Sequence, residues 1–348
     1  MEKYYITTPI YYVNDKPHIG HAYTTILADT ISRFRALIGD KPTFLTGLDE
    51  HGLKVQQAAE KNGKEPQDHC DSMAPAFIDL WKKLNINYSD FIRTTEHRHT
   101  KIVQQILTKV HESGDIYMDE YEGWYSISEE RFITEKELDS GQFGEVKQIK
   151  EKNYFFKMSK YQTTLIDKIE KDELLIQPKS RKNEVLGFLK NELSDLCISR
   201  PKSRLEWGIE LPFDDNYVTY VWFDALINYI SAIGLYKDDK QFSSLWPADV
   251  HLIGKDILTT HSVYWPTMLL SLGLPLPQRI FAHGWWLTDD KKMSKSLGNV
   301  VSPLMLIDDF GVDSVRYYLM SEMVLGMDAT FSSESFEKKY NSDLANDF

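Results

Sequence analysis

The chain has 348 residues, 42% of them hydrophobic, two cysteines and a formal net charge of −12. That length allows two or three domains with a sizeable core, no apolar run is long enough for a transmembrane helix, and two cysteines leave no room for a disulfide framework. The N-terminus enters an apolar strand at Lys3 without a secretory leader pattern, so a cytoplasmic protein with no membrane partner is expected.

In chain order, Tyr4-Tyr5-Ile6-Thr7-Thr8 reads as a buried strand. From His18 onward, Ile19, Tyr23, Ile26, Leu27, Ile31, Phe34 and Leu37 recur at helical spacing until Gly39 stops the helix. Strand and helix patterns alternate to about Gly114 and resume at about Leu211. This order predicts an α/β fold, one doubly wound parallel sheet of Rossmann type over 1–114 and 211–287, interrupted by an insertion over 115–210. The insertion holds strand-like Trp124-Tyr125-Ser126-Ile127 and Asn153-Tyr154-Phe155-Phe156, then a helix-like stretch from Asn183 to Leu193. Between Lys147 and Arg204, 14 Lys and Arg face 8 Asp and Glu, a surplus of six inside an acidic chain. A locally basic face suits an RNA end as well as it suits an ordinary solvated helix surface. Further on, the apolar strand Val250-His251-Leu252-Ile253 leads to Gly254 and Asp256, and Arg279-Ile280-Phe281-Ala282 to Gly284 and Trp286. The last segment, 288–348, opens with a polar loop carrying Lys291, Lys292 and Lys295 and becomes helical after Pro303.

Two places carry chemistry. His18-Ile19-Gly20-His21 sits where a strand hands over to a helix N-terminus, where unpaired N–H groups and the positive end of the dipole attract phosphate. Gly20 lets a nucleotide approach the backbone, and the two imidazoles, three residues apart, can donate to a phosphate as its charge builds. By itself His-x-x-His is equally a metal half-site or a pair of solvated histidines. Lys292-Met293-Ser294-Lys295-Ser296 follows 274 residues after His18 in a loop whose lysines can close over the β- and γ-phosphates, or can simply be a solvated turn.

Together the two motifs resemble the HIGH and KMSKS signatures of class I aminoacyl-tRNA synthetases. The spacing between them is too short for the editing domain of the leucine, isoleucine and valine enzymes. Within the class the chain resembles the methionyl-tRNA synthetase family, in Thr8-Pro9-Ile10-Tyr11-Tyr12-Val13-Asn14, Gly47-Leu48-Asp49-Glu50-His51-Gly52, Tyr220-Val221-Trp222-Phe223-Asp224-Ala225, His251-Leu252-Ile253-Gly254-Lys255-Asp256-Ile257 and His261-Ser262-Val263-Tyr264-Trp265-Pro266.

That resemblance implies activation of methionine by ATP with Mg²⁺, then transfer to methionine tRNA, initiator and elongator. It implies catalytic His18, His21, Lys292 and Lys295, an ATP site of His18, Gly20, His21, Gly254, Asp256, Gly284, Trp286 and Lys295, and ribose hydroxyls on Asp256. Asp49 would hold the methionine ammonium, and Ile10, Tyr12, Trp222, Ala225, Leu226, Tyr229, Ile257, His261 and Trp265 would line the side-chain pocket. Trp222, Ala225, Leu226 and Tyr229 also fall at i, i+3, i+4 and i+7, a spacing that more often marks core. The insertion corresponds to the family's connective peptide. Where many relatives place a Cys-x-x-Cys zinc knuckle, this chain has Ser126 and Glu129, so no structural metal is expected. Relatives continue past position 348 into an anticodon-reading helical domain; this stretch by itself is expected to be monomeric. Two other readings are weaker: a small-ligand nucleotidyltransferase that never meets tRNA, and a degenerate paralogue serving as an RNA-binding scaffold.

Overall fold

The computed structural model describes residues 2–126, 131–133, 138–139, 145–288, 291–292 and 300–346. Strand β1 (Lys3–Tyr12), helix α1 (Ile19–Leu37), strand β2 (Lys41–Asp49), helices α2 (Leu53–Lys61) and α3 (Pro66–Lys83), strand β3 (Asp90–Arg93) and helix α4 (His97–Glu112) form the first half of the core. In α1, Ile19, Tyr23, Ile26 and Leu27 are buried, as the helical spacing predicts. Phe34 and Leu37, on the same predicted stripe, are 57% and 84% exposed. The last turn of α1 projects past the layer it covers, where Arg35 stacks over the Tyr4 ring and pairs with Asp40.

Within 115–210 lie a long antiparallel ribbon of β4 (Ile116–Ser126) and β6 (Val146–Phe156), flanked by β5 (Arg131–Ile133) and β8 (Leu196–Cys197). The predicted strands fall inside β4 and β6, except for Ile127, which lies outside the described residues. The predicted helix from Asn183 to Leu193 is observed as Lys179–Phe188. A three-residue strand, β7 (Leu175–Gln177), leaves the ribbon and adds itself in parallel to the central sheet. Strands β9 (Ser199–Pro201), β10 (Glu210–Leu211) and β11 (Asp214–Thr219) form a small antiparallel sheet beside it. The fully buried Arg200 guanidinium lies 3.9 Å from the Tyr220 ring and 5.0 Å from the Tyr125 ring, and those two hydroxyls are 3.0 Å apart. A cation between two aromatic faces thus clamps the end of β4 to the core.

The chain returns through β12 (Val250–Gly254) and β13 (Arg279–His283). The central sheet has six strands in the order β3-β2-β1-β12-β13-β7, all parallel. Neighbouring residues on each strand feed opposite layers: Tyr5, Leu45, Ile253 and Ala282 pack with α4, and Ile6, Phe44 and Leu252 pack with α1 and α3. This is the doubly wound arrangement, with strands apolar on both faces because helices cover both. Fully buried Phe77 and Trp81 of α3 anchor the second layer, where truncating either to alanine would cost about 3–5 kcal/mol. Past β13, strand β14 (Trp286–Thr288) pairs with β15 (Lys291–Lys292) and β16 (Ala329–Phe331), and helices 303–310, 312–322 and 333–339 close the segment over α1.

The ladder between β1 and β12 holds only Ile6 with Val250 and Thr7 with His251. On its other side β1 pairs with β2 as far as Tyr12 and Asp49, with a register shift between Thr7 and Ile10. Pro9 sits in that shift, where a residue without an N–H is tolerated. The two neighbouring strands therefore part at the point where the strand order reverses, and a crevice opens beyond their carboxyl ends.

Candidate active site

A cleft of about 460 Å³ fills this crevice. Its walls come from the end of β1 (Pro9 to Tyr12), the following loop (Asn14 to Lys16), the first turn of α1 (His18, Gly20, His21, Thr24), Gly254, Asp256 and Ile257 after β12, and His283 to Trp286 after β13.

The first turn of α1 is built around its histidines. His18 is the extended N-cap, and its Nδ1 accepts from the Gly20 N–H at 3.0 Å. His21 returns the bond, its Nδ1 accepting from the His18 N–H at 3.1 Å. This reciprocal capping box uses imidazoles where serine and glutamate are usual. Each Nδ1 lone pair is committed to a backbone N–H, so each neutral ring carries its proton on Nε2 and keeps that N–H as a donor. Burial, then the neighbouring His18, hold His21 well below the usual imidazole range. Neutral N–H donors of this kind can meet an anion without first giving up a proton. Gly20 has a local reason beyond nucleotide access: a Cβ there would lie 2.8 Å from His18 Cε1.

Two further glycines have similar reasons. A Cβ on Gly254 would lie 2.6 Å from Asp256 Oδ1, and one on Gly284 would lie 2.0 Å from the Met327 carbonyl oxygen. The segment 284–286 is further held by Asp328, whose Oδ1 accepts from the Trp285 N–H at 2.8 Å while its Oδ2 pairs with Lys255 at 2.7 Å. Lys255 Nζ also stands 4.2 Å over the Trp285 ring. On the opposite wall, the Ile19 N–H donates to the Val301 carbonyl at 3.2 Å, joining α1 to the chain just after the lysine-rich loop.

Of the residues singled out in the sequence, Ile10, Tyr12, His18, Gly20, His21, Gly254, Asp256, Ile257, Gly284 and Trp286 line the cleft. Asp49 is buried at the end of β2, in register with Tyr12. Ala225, Leu226, Tyr229, His261 and Trp265 are buried in the core, and Trp222 is half-buried; none of the six lines the cleft. Tyr229, His261 and Trp265 belong to a buried hydrogen-bonded set that reaches the cleft wall at Ile257. His261 Nδ1–H donates to the Ile257 carbonyl at 2.9 Å, its Nε2 accepts from the Tyr229 hydroxyl at 2.8 Å, and burial holds the ring at a pKa of about 4. The Trp265 indole donates to His251 Nε2 at 3.1 Å, and His251 Nδ1 meets the Thr7 hydroxyl at 2.7 Å. A wide π turn over Thr260–Tyr264 sets the His261 and Trp265 side chains, so their spacing is not that of a regular α-helix.

Lys295 lies outside the described residues, and of Lys292 only the backbone, in β15, is described. Ser126 is buried at the end of β4, whereas Glu129 lies outside the described residues. Among the described residues no group of three His, Cys, Asp or Glu could hold a metal, and no helix is long and apolar enough to cross a membrane. Lys16, Thr24, His283 and Trp285 line the cleft without having been singled out. His283 was findable, because it ends a strand beside Gly284 by the same rule that marks Asp256.

The profile of the tRNA synthetases class I (M) matches residues 4–142 and 139–348. The chain belongs to this family. It is 53% identical over 350 residues to the methionine–tRNA ligase of Clostridium tetani, covering 99% of this chain and 54% of that protein. With the methionine–tRNA ligase of Bacillus subtilis it is 48% identical over 361 residues, with the same coverage of 99% and 54%. The chain thus spans about half the length of the curated relatives it matches. The Mycobacterium tuberculosis methionyl-tRNA synthetase in complex with methionyl-adenylate superposes with a TM-score of 0.95 at 42% identity, covering 99% of this chain and 69% of that one. The free form of the same synthetase gives a TM-score of 0.83, at 39% identity and coverage of 99% and 67%.

Proposed function

We propose that this chain activates methionine with ATP, forming methionyl-adenylate and releasing pyrophosphate, and that the adenylate then passes to the 3′ end of methionine tRNA, initiator and elongator alike. The observation that carries this reading is a pair of imidazoles whose Nδ1 atoms accept from backbone N–H groups, leaving Nε2 as the donor, at the mouth of a switch-point cleft in a fold that superposes on an adenylate-bound synthetase with a TM-score of 0.95. The methionine carboxylate attacks the α-phosphate in line, so no protein nucleophile is needed; the chain's task is to position and to stabilise charge. His18 and His21 donate to the α-phosphate, and Lys292 and Lys295 meet the leaving pyrophosphate. Asp256 takes the ribose hydroxyls, the backbone of Gly284 to Trp286 frames the adenine, and Asp49 holds the substrate ammonium. Ile10, Tyr12 and Ile257 meet the thioether, with Trp222, Ala225, Leu226, Tyr229, His261 and Trp265 shaping that end from behind. Flexible, polarisable sulfur suits such aromatic and apolar walls.

Mg²⁺ would enter with ATP, as is usual for phosphoryl and nucleotidyl transfer, and no residue of the chain is assigned to hold it. When bound it neutralises charge on the phosphates. The basic stretch 147–204 supplies an electrostatic face for the acceptor end of the RNA. We further read the chain as monomeric and as acting in the cytoplasm.

Pyrophosphate exchange with each of the twenty amino acids tests the reading. Methionine should support exchange far better than leucine or cysteine, and selenomethionine and norleucine should be measurable substrates, because an apolar pocket separates near-isosteres by only about 1–3 kcal/mol. Exchange that runs best with another amino acid, or with none, overturns it.

A further inference from the structure

Apart from the residues that line the cleft, the core holds a buried polar chain that the proposed reaction does not use. Asp224 Oδ2 is 2.6 Å from His51 Nδ1, and Asp224 Oδ1 is 2.7 Å from His99 Nε2. His99 Nδ1 in turn meets the Ser231 hydroxyl at 2.8 Å. Asp224, His99, Ser231 and His51 are all buried. Burial pushes the Asp224 carboxyl up, but His51 and His99 outweigh it and hold the group at about 2, so it is ionised and both imidazoles donate to it.

The three partners come from separate elements. His51 lies two residues after Asp49, in the turn that follows β2, and His99 is in the first turn of α4. Asp224 precedes Ala225 in the short helix Val221–Ala225, Leu226 follows as its C-cap, and Ser231 ends the short helix Asn228–Ser231 that carries Tyr229. The neighbours of His51 are fixed from the other side: Glu50 by Arg93 and by the Thr94 hydroxyl, and Gly52 by the Trp207 carbonyl. The carboxylate therefore joins the strand end that bears Asp49 to the short helices around Tyr229.

We infer that Asp224 is a positioning residue for amino-acid recognition, setting the distance between the ammonium-binding carboxylate of Asp49 and the side-chain pocket around Tyr229. The physical ground is cost. An ionised carboxylate with two imidazoles in the core is rarely more stable than well-packed apolar side chains of the same volume, whereas its directional bonds fix one spacing among three elements. A substrate whose ammonium and thioether are held at opposite ends needs that spacing. ATP, which contacts neither end, does not.

This inference rests on the proposed methionine activation, and its test separates the two. If the parent chain shows no methionine-dependent exchange, the functional reading fails; the inference is tested on a chain that shows it. Asp224→Asn should raise KM for methionine about tenfold, the size expected for loss of a hydrogen bond to a charged group, while KM for ATP stays within about twofold. Combined with Asp49→Asn, the effect should be less than additive, because both substitutions loosen the same ammonium. Should Asp224→Asn fail to fold, His51 carries the test. His51→Asn keeps a donor where Nδ1–H stood and should retain methionine affinity, whereas His51→Leu should lose it. Equal rises in both KM values, a fall in kcat with both KM values unchanged, additivity with Asp49→Asn, or equal behaviour of the two His51 variants would overturn the inference.

Discussion

Asp29 of α1 and Arg316 of the helix 312–322 form an ion pair at 2.6 Å across 287 positions of sequence. Asp29 is fully buried, its second oxygen accepts from the Asn87 N–H at 2.8 Å, and Arg316 also donates to the Leu84 carbonyl at 3.0 Å. The helix that presents the two histidines is thereby fastened to the segment following the lysine-rich loop.

Removing Arg316 leaves the buried Asp29 carboxylate to Arg33, whose Nε donates to the same Oδ2 at 2.8 Å. Arg316→Ala should destabilise the fold by about 1.5–3 kcal/mol in denaturant unfolding, the range for losing a hydrogen bond to a charged group, and by more than the paired replacement of Asp29 and Arg316 by apolar residues. A cost below about 1 kcal/mol would place the pair among solvent-screened contacts of little consequence.

Gly20 is tested by a single methyl group. With a Cβ 2.8 Å from the His18 ring, Gly20→Ala should push that imidazole out of the capping box. The exchange rate is expected to fall by about 100-fold, comparable to losing one oxyanion donor, with methionine affinity little changed. Normal turnover in the variant would show that the cap does not set the position of the catalytic donor.

The buried histidines make stability depend on pH in a defined direction. His261 is depressed from 6.5 to about 4 by burial, so between those values the unfolded chain binds a proton that the folded chain refuses. Stability then rises with pH through this window. The contribution is complete above about 6.5 and is lost as pH falls towards 4, amounting to roughly 3 kcal/mol for a shift of this size. His251 and His21 are depressed in the same direction by the same cause and add to the slope. Thermal unfolding from pH 7 to 4 should show Tm falling, and His261→Gln should flatten the curve. An unchanged slope would mean that His261 is charged in the folded state.

Zinc content tests the insertion. Ser126 stands at one expected ligand position, and the nearby end of β4 is gripped by Arg200 between Tyr125 and Tyr220. Purified protein should contain well under one zinc per chain, and chelator should leave Tm unchanged, whereas Arg200→Met should lower it. Stoichiometric zinc would overturn this.

The parts legible in the sequence are those with a strong period or a motif: the apolar stripe that buries Ile19, Tyr23, Ile26 and Leu27, and the strand-to-helix step at His18. What escaped was short or reached across the chain. β7 is three residues without alternation, too brief to distinguish from a turn, yet it extends the central sheet. Asp224 sits in an aromatic, helix-like run that gives no hint of two histidines 173 and 125 positions earlier. Tyr229, His261 and Trp265 were marked by resemblance to the family, which cannot say whether a side chain meets a ligand or supports the one that does. For Gly20 the motif identified the position, while the steric demand came from the ring of His18.

The parting of β1 from β12 after Thr7 bears on how such a site can change over evolution. The opening is a property of main chain: β1 leaves β12 after Thr7 while it goes on pairing with β2 as far as Tyr12 and Asp49. Side chains around the rim can therefore be exchanged one at a time without the cavity collapsing. On the proposed function, selectivity among amino acids is free to drift while the scaffold stays put, so a library randomised at Ile10, Tyr12 and Ile257 should yield folded members with altered substrate preference.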